Sequence, residues 1–106
     1  MSLSVSLYVG EECVYDANIT HNLNKMADKA GIYYALWRPE EGGFIKAFDI
    51  IEILENGIED MKQRPEFYKI FDSKNGWGTY KDFLPWLEKY LNACKNYPLS
   101  EIYVSR

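Results

Sequence analysis

Val5, Leu7 and Val9 alternate with Ser4, Ser6 and Tyr8, a period of two that predicts a half-buried β-strand. Gly10-Glu11-Glu12 reads as a turn, and Cys13, Val14 and Tyr15 as the second strand of an N-terminal hairpin, with Asp16-Ala17-Asn18 leading out of it. The period then becomes helical. Thr20 or Asn22 is placed to cap a helix whose Leu23, Met26, Ala27 and Ala30 fall on one face, and Gly31 to end it in the left-handed conformation. Tyr33, Leu36 and Trp37 repeat the spacing until Pro39 disfavours helix at Arg38. Glu40-Glu41-Gly42-Gly43 follows as a mobile loop.

The longest regular element is expected over residues 44–62. Ala47, Ile50, Ile51, Leu54, Ile58 and Met61 form its apolar stripe, and Gly57 inside it suggests close approach of a neighbouring backbone. Pro65 breaks it, and residues 66–71 restart a short helix with Phe67, Ile70 and Phe71 on the apolar side. Residues 72–78 are a loop by composition, with Trp77 between Gly76 and Gly78. Thr79 opens the next helix in a capping-box-like arrangement with Asp82, burying Phe83, Leu87, Tyr90, Leu91 and Cys94. Pro85 is expected to kink this helix or shift its start. Ile102 and Val104 close the chain on an alternating strand. The fold class is α+β: a small antiparallel sheet, the hairpin plus the C-terminal strand beside β-strand one, covered on one face by several α-helices. Neither a repeat nor a linker divides residues 1–106, so one domain is expected.

At 106 residues the chain is long enough to build a core without metal or disulfide support. Nine Tyr, five Phe and three Trp are more than such a core readily hides, which points to surface aromatics and partner contacts. The net charge of −4, with no dense basic run, argues against nucleic acid as a partner. Cys13 and Cys94 read as two reduced thiols in apolar or half-buried positions; no spacing argues for pairing them. No apolar run is long enough to cross a bilayer, and residues 1–9 lack the positive region of a signal peptide, so a cytoplasmic protein is expected.

His21 is the only histidine, and Asn18, Thr20, Asn22 and Asn24 surround it with donors and acceptors. It suits a general base or a pH-sensitive contact. The competing reading is that these polar residues cap a helix at a strand-to-helix corner, and it is the favoured one. Asp16 is the candidate carboxylate to orient the imidazole. Trp77 is either an exposed aromatic platform or a plug folded back on the core. Trp37-Arg38 is either a cation–π or anion-binding corner, or a core tryptophan beside a solvated arginine. Glu52, Glu55 and Glu59 read as a solvated helix face. One His and two Cys assemble no zinc motif, and phosphate-loop and dinucleotide fingerprints are absent, so neither metal nor cofactor is expected. The candidate binding residues are therefore Asn18, Thr20, His21, Asn22, Arg38 and Trp77, with no catalytic residue assigned.

Two blocks carry a resemblance: Ala17-Asn18-Ile19-Thr20-His21-Asn22-Leu23, continuing to Ala27, and Asn75-Gly76-Trp77-Gly78-Thr79-Tyr80, continuing through Leu84-Pro85-Trp86-Leu87. In these the chain resembles small uncharacterised proteins of bacteria and their phages. The resemblance spans residues 14–106 and implies that the surroundings of His21 and Trp77 belong together; it implies no activity. The leading expectation is a non-enzymatic protein-binding module of phage or prophage type. The alternatives are a small-molecule-binding domain or minor enzyme using His21 in a polar pocket, and a structural component that assembles with a second copy through its sheet edge.

Overall fold

In a computed structural model, which describes residues 2–106, the alternating N-terminal segment is the centre of the sheet. β1 (Ser2–Val9) lies between β2 (Glu12–Thr20) and β3 (Glu101–Ser105), and both neighbours run antiparallel to it. Leu3, Val5 and Leu7 are fully buried, while Ser4, Ser6 and Tyr8 line the opposite, open face. The period of two thus becomes a sheet with helices on one side only.

β2 is longer than its sequence suggests. Its pairing continues through Ser6 with Asp16 and Ser4 with Asn18 to Ser2 with Thr20, so Asp16-Ala17-Asn18 is strand rather than exit. Asp and Asn are poor strand formers, but here they sit exposed on the open face opposite serines, where their polar side chains need not be desolvated. Register shifts between Leu7 and Tyr8, whose partners Tyr15 and Cys13 leave Val14 as an extra residue.

Among the described residues five α-helices cover the buried face: α1 (Asn24–Lys29), α2 (Tyr33–Trp37), α3 (Phe48–Gln63), α4 (Pro65–Lys69) and α5 (Tyr80–Asn96). Gly31, at φ 76°, supplies the left-handed turn between α1 and α2. Gly57 serves close packing: a Cβ there would collide with Ile32 Cγ2 and stand 3.0 Å from the Ala30 carbonyl oxygen. The core joins Leu3, Val5 and Leu7 to Leu36, Leu54, Phe83, Leu87 and Tyr90.

Two expectations are corrected. Residues 44–47 are not helical: Asp49 Oδ2 accepts the N–H groups of Ile45 and Lys46 at 2.9 and 3.0 Å and holds them in a turn ahead of α3; α5, with 17 residues, exceeds the 16 of α3. In α4 the buried side chain is Tyr68, whereas Ile70 is 74% exposed. Tyr68 is drawn in by its hydroxyl, which donates to the Asp60 carboxylate and lies 3.3 Å from the Lys29 carbonyl oxygen, while Arg64 chelates the same Asp60. Pro85 leaves α5 starting at Tyr80, with Thr79 Oγ1 accepting the Asp82 N–H. One missing donor is outweighed by the buried face of that helix.

Candidate functional site

The strand-to-helix corner is built from Thr20 onward. Its hydroxyl accepts the Asn22 N–H at 3.2 Å and caps a single 3-10 turn, His21–Leu23, that leads into α1. Leu23 is driven into the core, and the turn leaves His21 half-buried with its ring directed to α2. There Trp37 Nε1–H donates to His21 Nδ1 at 2.8 Å. Nδ1 is therefore the unprotonated nitrogen of the neutral ring, and the indole is its one hydrogen-bond partner among the described residues. Asp16 does not orient it; this carboxylate lies in β2 opposite Ser6.

Trp37 is core, 3% exposed, and stacks on Tyr33 with centroids 5.7 Å apart. Its carbonyl accepts a hydrogen bond from Arg106, which also pairs with Glu40. Arg38 makes no cation–π contact with it. Instead Nε donates to the Tyr33 hydroxyl at 3.1 Å and Nη1 meets Glu41 at 2.7 Å. The Tyr33 hydroxyl and then Glu41 hold the guanidinium pKa above its ordinary value. Both of these donors are turned to internal partners.

The two sequence blocks do meet. Asn22 Nδ2 donates to the Trp77 carbonyl at 2.9 Å, across 55 residues of chain. The contact beneath it is made by Gly78, not Trp77. Gly78 is buried at φ 112°, and a Cβ there would lie 3.1 Å from both Asn22 Cβ and Thr20 Cγ2. The Trp77 ring is 73% exposed, held outward by a loop in which Asn75 Oδ1 accepts the Trp77 N–H. Asn18 offers its carbonyl to Trp86 Nε1–H at 3.0 Å, while its side chain belongs to the open sheet face.

Asn18, Thr20, His21, Asn22 and the Trp77 backbone are thus brought together as a corner, and Arg38 faces elsewhere. Two concavities lie away from the imidazole. One, of about 480 Å³, runs over the open sheet face between Ser4, Ser6 and Tyr103; another, of about 550 Å³, follows β3 beside Phe44 and Ile45. Among the described residues, no group of three or more His, Cys, Asp or Glu side chains is placed to hold a metal ion. Glu55 is engaged by Lys95 at 2.9 Å and Glu59 by Gln63 at 2.8 Å. No described helix is long and apolar enough to cross a membrane.

A different surface carries exposed apolar side chains that no period along the chain marks. Ile45, Phe48, Tyr97, Leu99 and Tyr103 are large, apolar and exposed, Leu99 at 73% and Ile45 at 63%. Their segments are stitched together by backbone bonds: Phe48 N–H to the Pro98 carbonyl, Ala47 N–H to Ser100 and Ile102 N–H to Ile45, each at 2.9 Å. Leu99 carried the available signal, an apolar residue between Pro98 and Ser100 that belongs to neither helical nor strand periodicity. Compared with known protein families, with curated proteins and with solved structures, the chain matches none.

Proposed function

We propose that the chain is a non-enzymatic protein-binding module, of the phage or prophage type that its two sequence blocks resemble. The carrying observation is the cluster of exposed apolar side chains on adjacent segments: Ile45 before α3 and Phe48 at its start, Tyr97 and Leu99 after α5, and Tyr103 on β3. Exposed apolar residues scattered singly are ordinary surface; several on neighbouring segments cost solvation and are characteristic of interaction sites. The site around His21 supports the same reading, because its acceptor nitrogen is committed to a buried indole.

The test is affinity capture from the native host with the wild-type chain and with an Ile45→Ser/Leu99→Ser double variant. A protein retained by the first and lost by the second, with unchanged circular dichroism, supports the reading. Retention that the double variant leaves unchanged would overturn it. Sedimentation of the purified chain identifies the partner as a second copy if it shows a dimer that the double variant dissociates.

A further inference from the structure

The outer edge of β3 gives this surface a definite mode of recognition, an inference that rests on the protein-binding reading above. The chain begins to cover that edge itself: Ala47 N–H donates to the Ser100 carbonyl, and Ile102 N–H to the Ile45 carbonyl. In an antiparallel ladder the next bond would run from Ile45 N–H to the Ile102 carbonyl. It is not made. Ile45 N–H goes to Asp49 Oδ2 instead, and Phe44 N–H turns back to the Pro39 carbonyl at 2.8 Å. The covering segment leaves the edge there.

Backbone groups of alternate residues face outward along an edge strand. Since Ile102 faces outward, so does Val104. The Ile102 carbonyl and the N–H and carbonyl of Val104 have no partner among the described residues. Beside them lies the concavity of about 550 Å³, walled on its far side by Pro39, Gly43, Phe44 and Ile45.

We propose that this unfinished ladder binds an extended peptide segment of a partner protein, which adds as a fourth strand along Ile102–Val104. Donors and acceptors at strand spacing are matched by another extended backbone. The wall formed by residues 39–45 stands in the way of a second copy, whose edge strand brings its own sheet behind it. The charges lining the slot are already matched, Glu40 with Arg106 at 2.6 Å and Glu101 with Lys46 at 3.5 Å. Its walls therefore take uncharged side chains, and the net charge of −4 favours Lys or Arg flanking the seated residues. The opposite edge is blunted: β2 carries the bulge at Val14, the charge of Asp16, and a carbonyl at Asn18 capped by Trp86.

The test selects binders to the full chain from a random peptide display library and resynthesises the enriched peptides. Each is scanned by backbone N-methylation against the wild type, Val104→Pro and Leu99→Ser. Pro at Val104 removes an outward N–H on an edge strand, where proline is tolerated, and circular dichroism checks its fold. The expected result is peptides alternating apolar and polar residues, binding at least tenfold more weakly to Val104→Pro, with loss on N-methylation at alternate positions only. Peptides indifferent to N-methylation overturn the inference; if Leu99→Ser nevertheless weakens them, the protein-binding surface stands without the added strand. A library that yields no binder also overturns the inference, and the capture experiment then decides the broader reading alone. Should Val104→Pro fail to fold, the N-methylation pattern decides.

Discussion

Trp37 and His21 are joined by a hydrogen bond of 2.8 Å from the indole N–H to the imidazole Nδ1, linking α2 to the turn that ends the sheet. An indole that is 3% exposed needs an acceptor, because a buried N–H without one costs the desolvation of the group. The lone histidine of this chain supplies it. A residue that sequence marks as a candidate base is thereby a structural acceptor, with only Nε2 left for other partners.

Replacing that acceptor has a measurable cost. His21→Ala is expected to lower stability by about 1–3 kcal/mol in urea denaturation, the penalty for an unpaired buried donor. In a cycle with Trp37→Phe, which removes the donor too, the two changes should couple by about 0.5–3 kcal/mol. Strict additivity would show that the bond contributes nothing.

Gly78 holds the two sequence blocks together through the absence of a side chain. At φ 112° and with Thr20 and Asn22 carbons 3.1 Å from a Cβ position, Gly78→Ala adds steric overlap to backbone strain. A loss of about 1–3 kcal/mol is expected. Gly76→Ala is the control: its φ is 79° but nothing lies within 4 Å, so strain acts alone. Thermal melts should rank Gly78→Ala as the more damaging; equal losses would remove the packing role.

Acid stability should depend on Asp60. The Arg64 guanidinium, and after it the Tyr68 hydroxyl, hold the Asp60 carboxyl below its ordinary range. A carboxyl depressed in the folded state stabilises the protein above its unfolded pKa of about 4, and that contribution is lost as pH falls through the folded value. Melting temperatures of wild type and Asp60→Asn should therefore differ at neutral pH and converge below about pH 4. A gap that stays constant across pH would refute the linkage. Burial, followed by the hydrogen bond to Asp60, pushes the Tyr68 hydroxyl up to about 12, so the donor in this clamp stays protonated throughout that window.

The two cysteines should separate in a labelling experiment. Both are free; Cys13 is exposed at the bulge and Cys94 is buried in α5, where burial pushes its thiol up to about 12. The thiolate is the reactive species, so a buried neutral thiol is inert. Iodoacetamide on the native chain should modify Cys13 alone, with Cys94 following in denaturant, as read by intact mass. Equal native labelling of both would contradict the packing of α5.

Much of the architecture was legible before any fold was known. Alternation at Leu7 and Val5, the stripe from Ile50 to Met61, and the cap at Thr79 each depend on one segment meeting water on one side. Periodicity records that directly. Where local preferences competed with distant partners, the sequence misled. Asp16 and Asn18 are weak strand formers held in β2 by pairing with Ser6 and Ser4, and Tyr68 displaced Ile70 inward because Asp60 and Lys29 offered its hydroxyl partners.

The amino-acid sequence alone determined that this is an α+β chain, and that its polar corner surrounds the one histidine. Tertiary structure decided what the corner does, because the partner of His21 lies 16 residues away and that of Asn22 lies 55 away, distances over which no period speaks. It also decided that β3 keeps an open edge. That follows from one local competition, in which the Asp49 carboxylate takes the Ile45 N–H before the Ile102 carbonyl can.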